Sequence, residues 1–165
     1  MTRFLNILLS FALTVIIITG GLALFSQSGE SPGLEKDGQL SVCPAKPNCI
    51  CSEYPGDAEH YISPIQLSAE QYNGAVTAIK ASIQLHGGEI RHIEQDYIAS
   101  TFSSSLFSFV DDLEVRVDPK RNQIHIRSAA RVGYSDFGVN RKRATALKTT
   151  IERHFNTKTG TPSDQ

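Results

Sequence analysis

The first pattern along the chain is a long apolar run at its N-terminus. Residues 4–25 are apolar apart from glycines and a few small polar side chains. About 22 such residues can cross a hydrocarbon core of roughly 30 Å as a helix. Arg3 precedes the run and mainly acidic residues follow it, which favours an N-terminus in the cytoplasm. The pattern predicts that residues 1–26 form a transmembrane anchor and that the rest of the chain is exported.

A cleaved signal peptide is the alternative interpretation of this run. Gly21-Leu22-Ala23 is similar to a small-x-small cleavage site. The run exceeds the roughly 7–15 apolar residues usual in such signals, which favours an uncleaved anchor. The expected location is the bacterial inner membrane, single-pass, with the domain in the periplasm; the alternative is secretion after cleavage.

Beyond the run the composition changes twice. Residues 27–40 are rich in Gly, Ser and acidic side chains, which is typical of a flexible tether. We expect a folded domain over residues 41–157. The polar end of the chain predicts a disordered tail over 158–165.

Two segments of the domain have the apolar period of a helix. The first begins at Ser68-Ala-Glu-Gln71, a capping-box pattern, and ends at Gly87-Gly88. The second begins near Asn140, a residue type suited to an N-cap. Their apolar stripes are Tyr72, Val76, Ile79 and Ile83, and then Ala144, Leu147, Ile151 and Phe155.

Between the helices the apolar positions alternate, as in half-buried strands. Residues 89–103 predict two strands, and residues 107–117 and 123–127 predict two more around a turn, whereas the proline-rich residues 43–64 predict an ordered loop. The order helix, about four strands, helix predicts an α+β fold with two helices packed on one face of an antiparallel sheet. The alternating residues of the third strand are Phe107, Phe109, Leu113, Val115 and Val117.

Charge is concentrated in one segment of a chain whose net charge is only −1. Residues 127–143 contain five cations and one acid. Arg141, Lys142 and Arg143 stand at a predicted helix N-terminus, where positive charge must be compensated by a carboxylate or a bound anion. The glycines of this segment permit an anion-binding nest. We expect a recognition surface for an anionic ligand, such as a lipid head group, or for an envelope protein partner, formed by Arg127, Arg131, Tyr134, Asp136, Asn140, Arg141 and Arg143.

The same arginines also have a structural interpretation. Strand register would place Arg127 opposite Glu114 or Asp112. Asp111, Asp112 and Asp136 would neutralise other arginines of the segment. An internal charged contact and an anion site both remain open.

An enzyme using Asp111, Asp112 or Asp136 near these cations is the rival hypothesis. Adjacent residues of a strand point to opposite faces, so Asp111 and Asp112 converge on one site only through a bulge. Ser135, Asp136 and a histidine lack the Gly-x-Ser-x-Gly context of a hydrolase. No cofactor is expected. Nucleic acid is not an expected partner, because the domain is exported and not basic overall.

Three cysteines lie close together in the proline-rich segment. In an exported domain a nearby pair predicts a disulfide, either Cys43–Cys49 or Cys43–Cys51, and we favour the first. The alternatives are a redox thiol and a metal site in which His60 joins the three thiolates. No Cys-x-x-Cys pattern supports either one.

Three motifs together resemble the domain of unknown function 1499 family. They are Cys43-Pro…Pro47-Asn48-Cys49…Ser52, Phe109-Val-Asp-Asp112 and, longest, Arg127-Ser-Ala…Arg131-Val-Gly-Tyr-Ser-Asp-Phe-Gly-Val-Asn-Arg-Lys-Arg143. The resemblance covers roughly residues 40–155. It implies membrane or export segments, which family members often carry. Cys51 departs from the family pattern, and the resemblance implies no catalytic residues.

Overall fold

In the computed structural model, residues 2–105 and 107–159 are described, and side chains through residue 157. The elements are α1 (Thr2–Gln27), β1 (Cys49–Cys51), β2 (Ile65–Gln66), α2 (Ala69–Leu85), β3 (Glu89–Glu94), β4 (Tyr97–Ser103), β5 (Val110–Asp118), β6 (Gln123–Ala130) and α3 (Val139–Thr159).

The domain is built on one antiparallel sheet with the strand order β1-β6-β5-β4-β3, and β2 also pairs with β6. The predicted α+β class is confirmed, although the sheet has two more strands than the roughly four expected. The additional strands, β1 and β2, are only three and two residues long. Each is a strand because β6 pairs with it, at Cys49↔Ala129 and Ile65↔Ile124. Alternation within so short a segment could not have predicted them.

One face of the sheet packs on α2 and α3 to form the main core. Both predicted helical stripes contribute, and α2 has the predicted capping box at Ser68 and Gln71. Alternate strand residues complete this core because side chains of a strand alternate between faces. The fully buried ones include Ile98, Leu113, Val115, Ile124 and Ile126.

The opposite face of the sheet is covered by irregular chain from the N-terminal half. Residues 28–41, which we call the strap, run across it: Gly33 donates its amide to Glu114 Oε1 at 2.9 Å, and Leu40 is fully buried. Tyr54 donates its hydroxyl to the Leu40 carbonyl at 2.7 Å. Residues 27–40, which we expected to be a flexible tether, therefore contact the sheet in the structure.

Helix α1 projects from one end of the sheet. Its apolar side chains are exposed, and among the described residues of the helix only Ala23 and Ser26 are buried. The last turn is attached: Val110 donates its amide to Ser26 Oγ at 3.2 Å, and Gln27 Nε2 donates to the Ser108 carbonyl at 3.4 Å. This helix is long and apolar enough to cross a membrane; length and composition fit a membrane anchor or a signal sequence.

One predicted boundary and one predicted cap are wrong. Strand β5 begins at Val110, not at residue 107, because Ser108 has a left-handed backbone (φ 55°) that breaks the strand. Helix α3 begins at Val139, which confirms the predicted start near Asn140. Asn140 is not the cap, because it lies within the helix and the Asp136 carboxylate accepts its amide at 2.7 Å. The same helix continues to Thr159, and the disordered tail expected over 158–165 stays a prediction. Residues 160–165 lie outside the described residues.

The turn between α2 and β3 has no room for a side chain at Gly88. A Cβ there would lie 2.5 Å from Phe102 Cζ and 2.7 Å from Ile83 Cγ2, and both side chains are buried in the core. We expect Gly88→Ala to lower the free energy of unfolding by about 1–3 kcal/mol through overpacking, measured by urea denaturation. Gly56→Ala is the matched control, because a Cβ there meets nothing within 4 Å. Equal stability of the two variants would contradict this packing.

Candidate functional site

The candidate site begins with a buried carboxylate in the middle of β5. Glu114 is fully buried and accepts three hydrogen bonds. The donors are Arg127 Nη1 at 2.9 Å from β6, the Tyr97 hydroxyl at 2.7 Å from β4 and the Gly33 amide at 2.9 Å from the strap. The predicted register is confirmed, since Glu114 pairs directly with Arg127. One side chain thus joins three strands and the strap.

The second arginine of the segment, Arg131, joins β5 to α1. It binds both oxygens of Asp112, through Nε at 2.9 Å and Nη2 at 2.7 Å. Its Nη1 donates to the Ser26 carbonyl at 3.0 Å in the last turn of α1. A cation at the C-terminal end of a helix is favourably placed in the field of the helix dipole. All three nitrogens of this guanidinium are therefore used within the protein.

The third arginine, Arg143, lies on the other face of the sheet. It pairs with Asp111 at 2.9 Å and donates to Asn140 Oδ1 at 2.6 Å. Its guanidinium carbon lies 4.6 Å from the centre of the Phe102 ring, a cation–π distance. Asp111 and Asp112 thus point to opposite faces, as predicted, and do not form one carboxylate pair.

The loop before α3 is ordered by Asp136 and Asn140. Asp136 accepts from the Gly138 amide at 2.9 Å and from both the backbone amide and the side-chain Nδ2 of Asn140, at 2.7 and 2.8 Å. Asn140 is fully buried, and its Oδ1 accepts from the Ser128 hydroxyl. These two residues fix the loop and the start of α3.

The remaining two residues of the predicted surface point elsewhere. Arg141 donates to the backbone carbonyls of Tyr61 and Glu59. Tyr134 is 70% exposed. The seven predicted residues are therefore distributed over two faces and a loop. Only Arg127 and Arg131 lie together beside the strap.

A cleft lies where these two arginines meet the strap. Its volume is about 380 Å³, and its lining includes Phe25, Glu30 and Asp112 as well as Arg127 and Arg131. Of the donor nitrogens of Arg127, only Nη1 has a hydrogen bond to the described residues, and the buried Nε has no partner among them. A guanidinium offers five N–H donors. Arg127 therefore lines the cleft with donor capacity that the described residues do not use.

A second charged group on the strap face was not predicted. Glu53 accepts from Arg116 at 2.8 and 3.2 Å, and its Oε2 lies 3.3 Å from His125 Nδ1. Burial nevertheless lowers the pKa of His125. The charge of Arg116 acts in the same direction, and the charge of Glu53 opposes both effects. The signal in the sequence was the alternation of charged residues along two paired strands, at Glu114 and Arg116 and at His125 and Arg127. In the sequence, the apolar positions of these strands predicted the core, whereas the charged positions between them carried no prediction of this group.

Burial also sets the protonation of the groups around Glu114. It raises the pKa of Glu114, although Arg127, Tyr97 and Gly33 all stabilise the carboxylate. Burial and the neighbouring charge of Glu114 raise the pKa of Tyr97 strongly, so its hydroxyl remains a donor. On the other face, burial raises the pKa of Asp111 against the opposing effect of Arg143. The direction of these shifts is that of charges removed from water.

The cysteines form the disulfide that we favoured. Cys43 and Cys49 are bonded, with their Cα atoms 5.6 Å apart, and Cys51 is a buried free thiol. The alternative Cys43–Cys51 pairing is wrong. The metal alternative also fails, since two of its three thiolates are oxidised and His60 is bound by Asp57 at 2.7 Å and the Lys46 carbonyl at 3.0 Å.

Comparison with known proteins identifies a family and no activity. Residues 39–151 match the sequence profile of the family described as Protein of unknown function (DUF1499). The chain belongs to this family, which confirms the resemblance noted above. No curated protein matches the chain.

Removing the charge of Glu114 tests the buried contact. Glu114→Gln leaves Arg127 buried without a carboxylate, and we expect a loss of about 3–5 kcal/mol in the free energy of unfolding. Glu94→Gln is the control, because the Glu94 side chain is 76% exposed and such changes are usually within about 0.5 kcal/mol. A loss at Glu114 no larger than the control would show that the contact does not stabilise the fold.

The buried free thiol of Cys51 gives a second testable prediction. Burial raises the pKa of Cys51 to about 11, so the reactive thiolate is scarce at pH 8. We expect one thiol per chain to react with a maleimide in denaturant, and that thiol to react far more slowly in the folded protein. Rapid labelling of the folded protein at pH 8 would contradict a buried Cys51.

Proposed function

We propose that this protein is a membrane-anchored, non-catalytic binding module of the bacterial envelope. Helix α1 anchors it in the inner membrane, the domain lies in the periplasm, and the cleft at Arg127 and Arg131 takes a small anionic group such as a lipid head group. The observation that carries the proposal is the unsatisfied donor capacity of the buried Arg127 at a cleft next to the end of α1.

The disulfide supports an exported domain. Cysteine pairs such as Cys43–Cys49 form and persist in oxidising compartments, including the bacterial periplasm. The single cation before α1, Arg3, favours retention of the N-terminus in the cytoplasm. An uncleaved α1 would hold the domain at the membrane, because its last turn is bonded to Arg131 and Val110.

The composition of the cleft favours a ligand held by directed hydrogen bonds. Arg127 and Arg131 line it together with Asp112 and Glu30, so the local charges nearly cancel. A phosphate or carboxylate oxygen is the acceptor that a guanidinium fork recognises best. Phe25 supplies an apolar wall at the end of α1, which suits a head group that arrives from the membrane side.

Catalysis has weaker support than binding. The carboxylates of the enzyme hypothesis are all engaged: Asp111 by Arg143, Asp112 by Arg131 and Asp136 by three N–H donors. A carboxylate that is bonded to cationic or N–H donors is a weaker general base, because those donors stabilise its charged form.

The test is a thermal unfolding screen of the full chain in detergent, with glycerol phosphate, inorganic phosphate and acetate as probes. We expect glycerol phosphate to stabilise the wild-type protein, by about 2.7 kcal/mol when it reaches 100 times its dissociation constant. Arg127→Lys keeps the positive charge but removes the fork, and we expect this variant to lose most of that gain.

Arg121→Lys is the matched control, because Arg121 is an exposed arginine in the β5–β6 turn. It should keep the full response. The binding proposal would be wrong if no probe stabilised the wild-type protein, or if Arg127→Lys and Arg121→Lys responded equally.

A further inference from the structure

We infer that the domain has a second contact with the bilayer, formed by aromatic residues in two loops beside the anchor. The loops are residues 104–105 and 107–109 between β4 and β5 and residues 131–138 between β6 and α3, and their exposed aromatic residues are Phe107, Tyr134 and Phe137. The inference rests on the proposed membrane anchor, α1, and is independent of the anion cleft.

The topology brings both loops to the end of the sheet where α1 is attached. Ser103 at the end of β4 pairs with Val110 at the start of β5. Arg131, after the end of β6, donates its amide to the Val110 carbonyl at 3.3 Å. Val110 in turn donates to Ser26 Oγ in the last turn of α1. Both loops therefore lie next to Val110, the residue that contacts the last turn of α1.

The three aromatic side chains are exposed at the surface, although the Phe107 ring also contacts the Phe109 ring, with centroids 5.9 Å apart. Phe137 is 92% exposed, Tyr134 70% and Phe107 48%. Phe137 also has a left-handed backbone, with φ 54°, which is unfavourable for a bulky residue. Ser135 Oγ and Asp136 Oδ1 hold it there by accepting from the Phe137 and Gly138 amides, at 3.3 and 2.9 Å. A strained backbone that exposes a phenyl ring points to a function outside the domain.

Lipid is the occupant that this position favours. When α1 crosses the bilayer, the end of the sheet next to Ser26 is the part of the domain nearest to the membrane surface. Aromatic side chains are favoured at that interface. Both charged residues of these loops are engaged within the domain, since Arg131 is paired with Asp112 and Asp136 accepts three N–H groups. A protein partner that bound this end of the sheet would have to compete with the bilayer for the same surface.

The chain contains no tryptophan, so a single introduced one reports on its own position. The full chain would be reconstituted in phosphatidylcholine–phosphatidylglycerol vesicles whose acyl chains carry bromine, as Phe137→Trp and Phe107→Trp. The control is Lys120→Trp, an exposed position in the β5–β6 turn at the opposite end of the sheet. Flotation and carbonate extraction of the same vesicles report separately on whether α1 is inserted.

We expect bromine to quench both loop variants, with blue-shifted emission, and to leave Lys120→Trp unquenched and accessible to aqueous iodide. An inserted chain in which Phe137→Trp stays open to iodide and unquenched by bromine would overturn this inference while leaving the anchor intact. Protection of Phe137→Trp from both quenchers would indicate a protein contact, which also overturns it. Failure of the full chain to insert would overturn the anchor and this inference together.

Discussion

Neutralisation of three arginines by the carboxylates of one strand is the interaction on which this structure depends. Asp111, Asp112 and Glu114 follow one another along β5, and consecutive side chains of a strand point to opposite faces. Asp111 therefore meets Arg143 on the helix face, whereas Asp112 and Glu114 meet Arg131 and Arg127 on the strap face. Each pair is mostly withdrawn from water.

Such pairs are costly to bury, and they stabilise a fold only when their remaining donors and acceptors are satisfied. Glu114 satisfies this condition with three donors, and so does Arg131 with Asp112 and the Ser26 carbonyl. We suggest that the pairs serve specificity, because each one joins a different element to β5. Arg143 fixes the start of α3, Arg131 fixes the end of α1, and Glu114 fixes the strap.

This arrangement also explains why the end of α1 and the cleft lie together. The strap reaches Glu114 at Gly33, a few residues after the end of α1, so this helix and a sheet face that would otherwise be independent become neighbours. The buried Nε of Arg127 has no partner among the described residues there. The position of the proposed ligand site thus follows from the way in which the chain compensates its buried charges.

Much of the architecture could be predicted from periodicity, because α2, α3 and the β4–β6 strands have apolar positions that match their geometry. Strand register also predicted a carboxylate opposite Arg127, either Glu114 or Asp112, and the structure has Glu114 there. The strap could not be predicted, since its Gly- and Ser-rich composition is that of a tether, and its order comes from Glu114 and Tyr54, which are distant in sequence. For the same reason the seven residues of segment 127–143 that we expected on one surface are distributed over two faces and a loop. A charge cluster in the sequence does not show which carboxylates it will meet.

The central claim is that Arg127 and Glu114 act as a unit, and a double-mutant cycle tests it most directly. The free energies of unfolding of the wild-type chain, Glu114→Leu, Arg127→Met and the double variant would be measured by urea denaturation. Each single variant leaves one buried charge without its partner, whereas the double variant removes both. We expect the double variant to lose less unfolding free energy than the sum of the two single losses, by at least about 1 kcal/mol. Losses that simply add would contradict it.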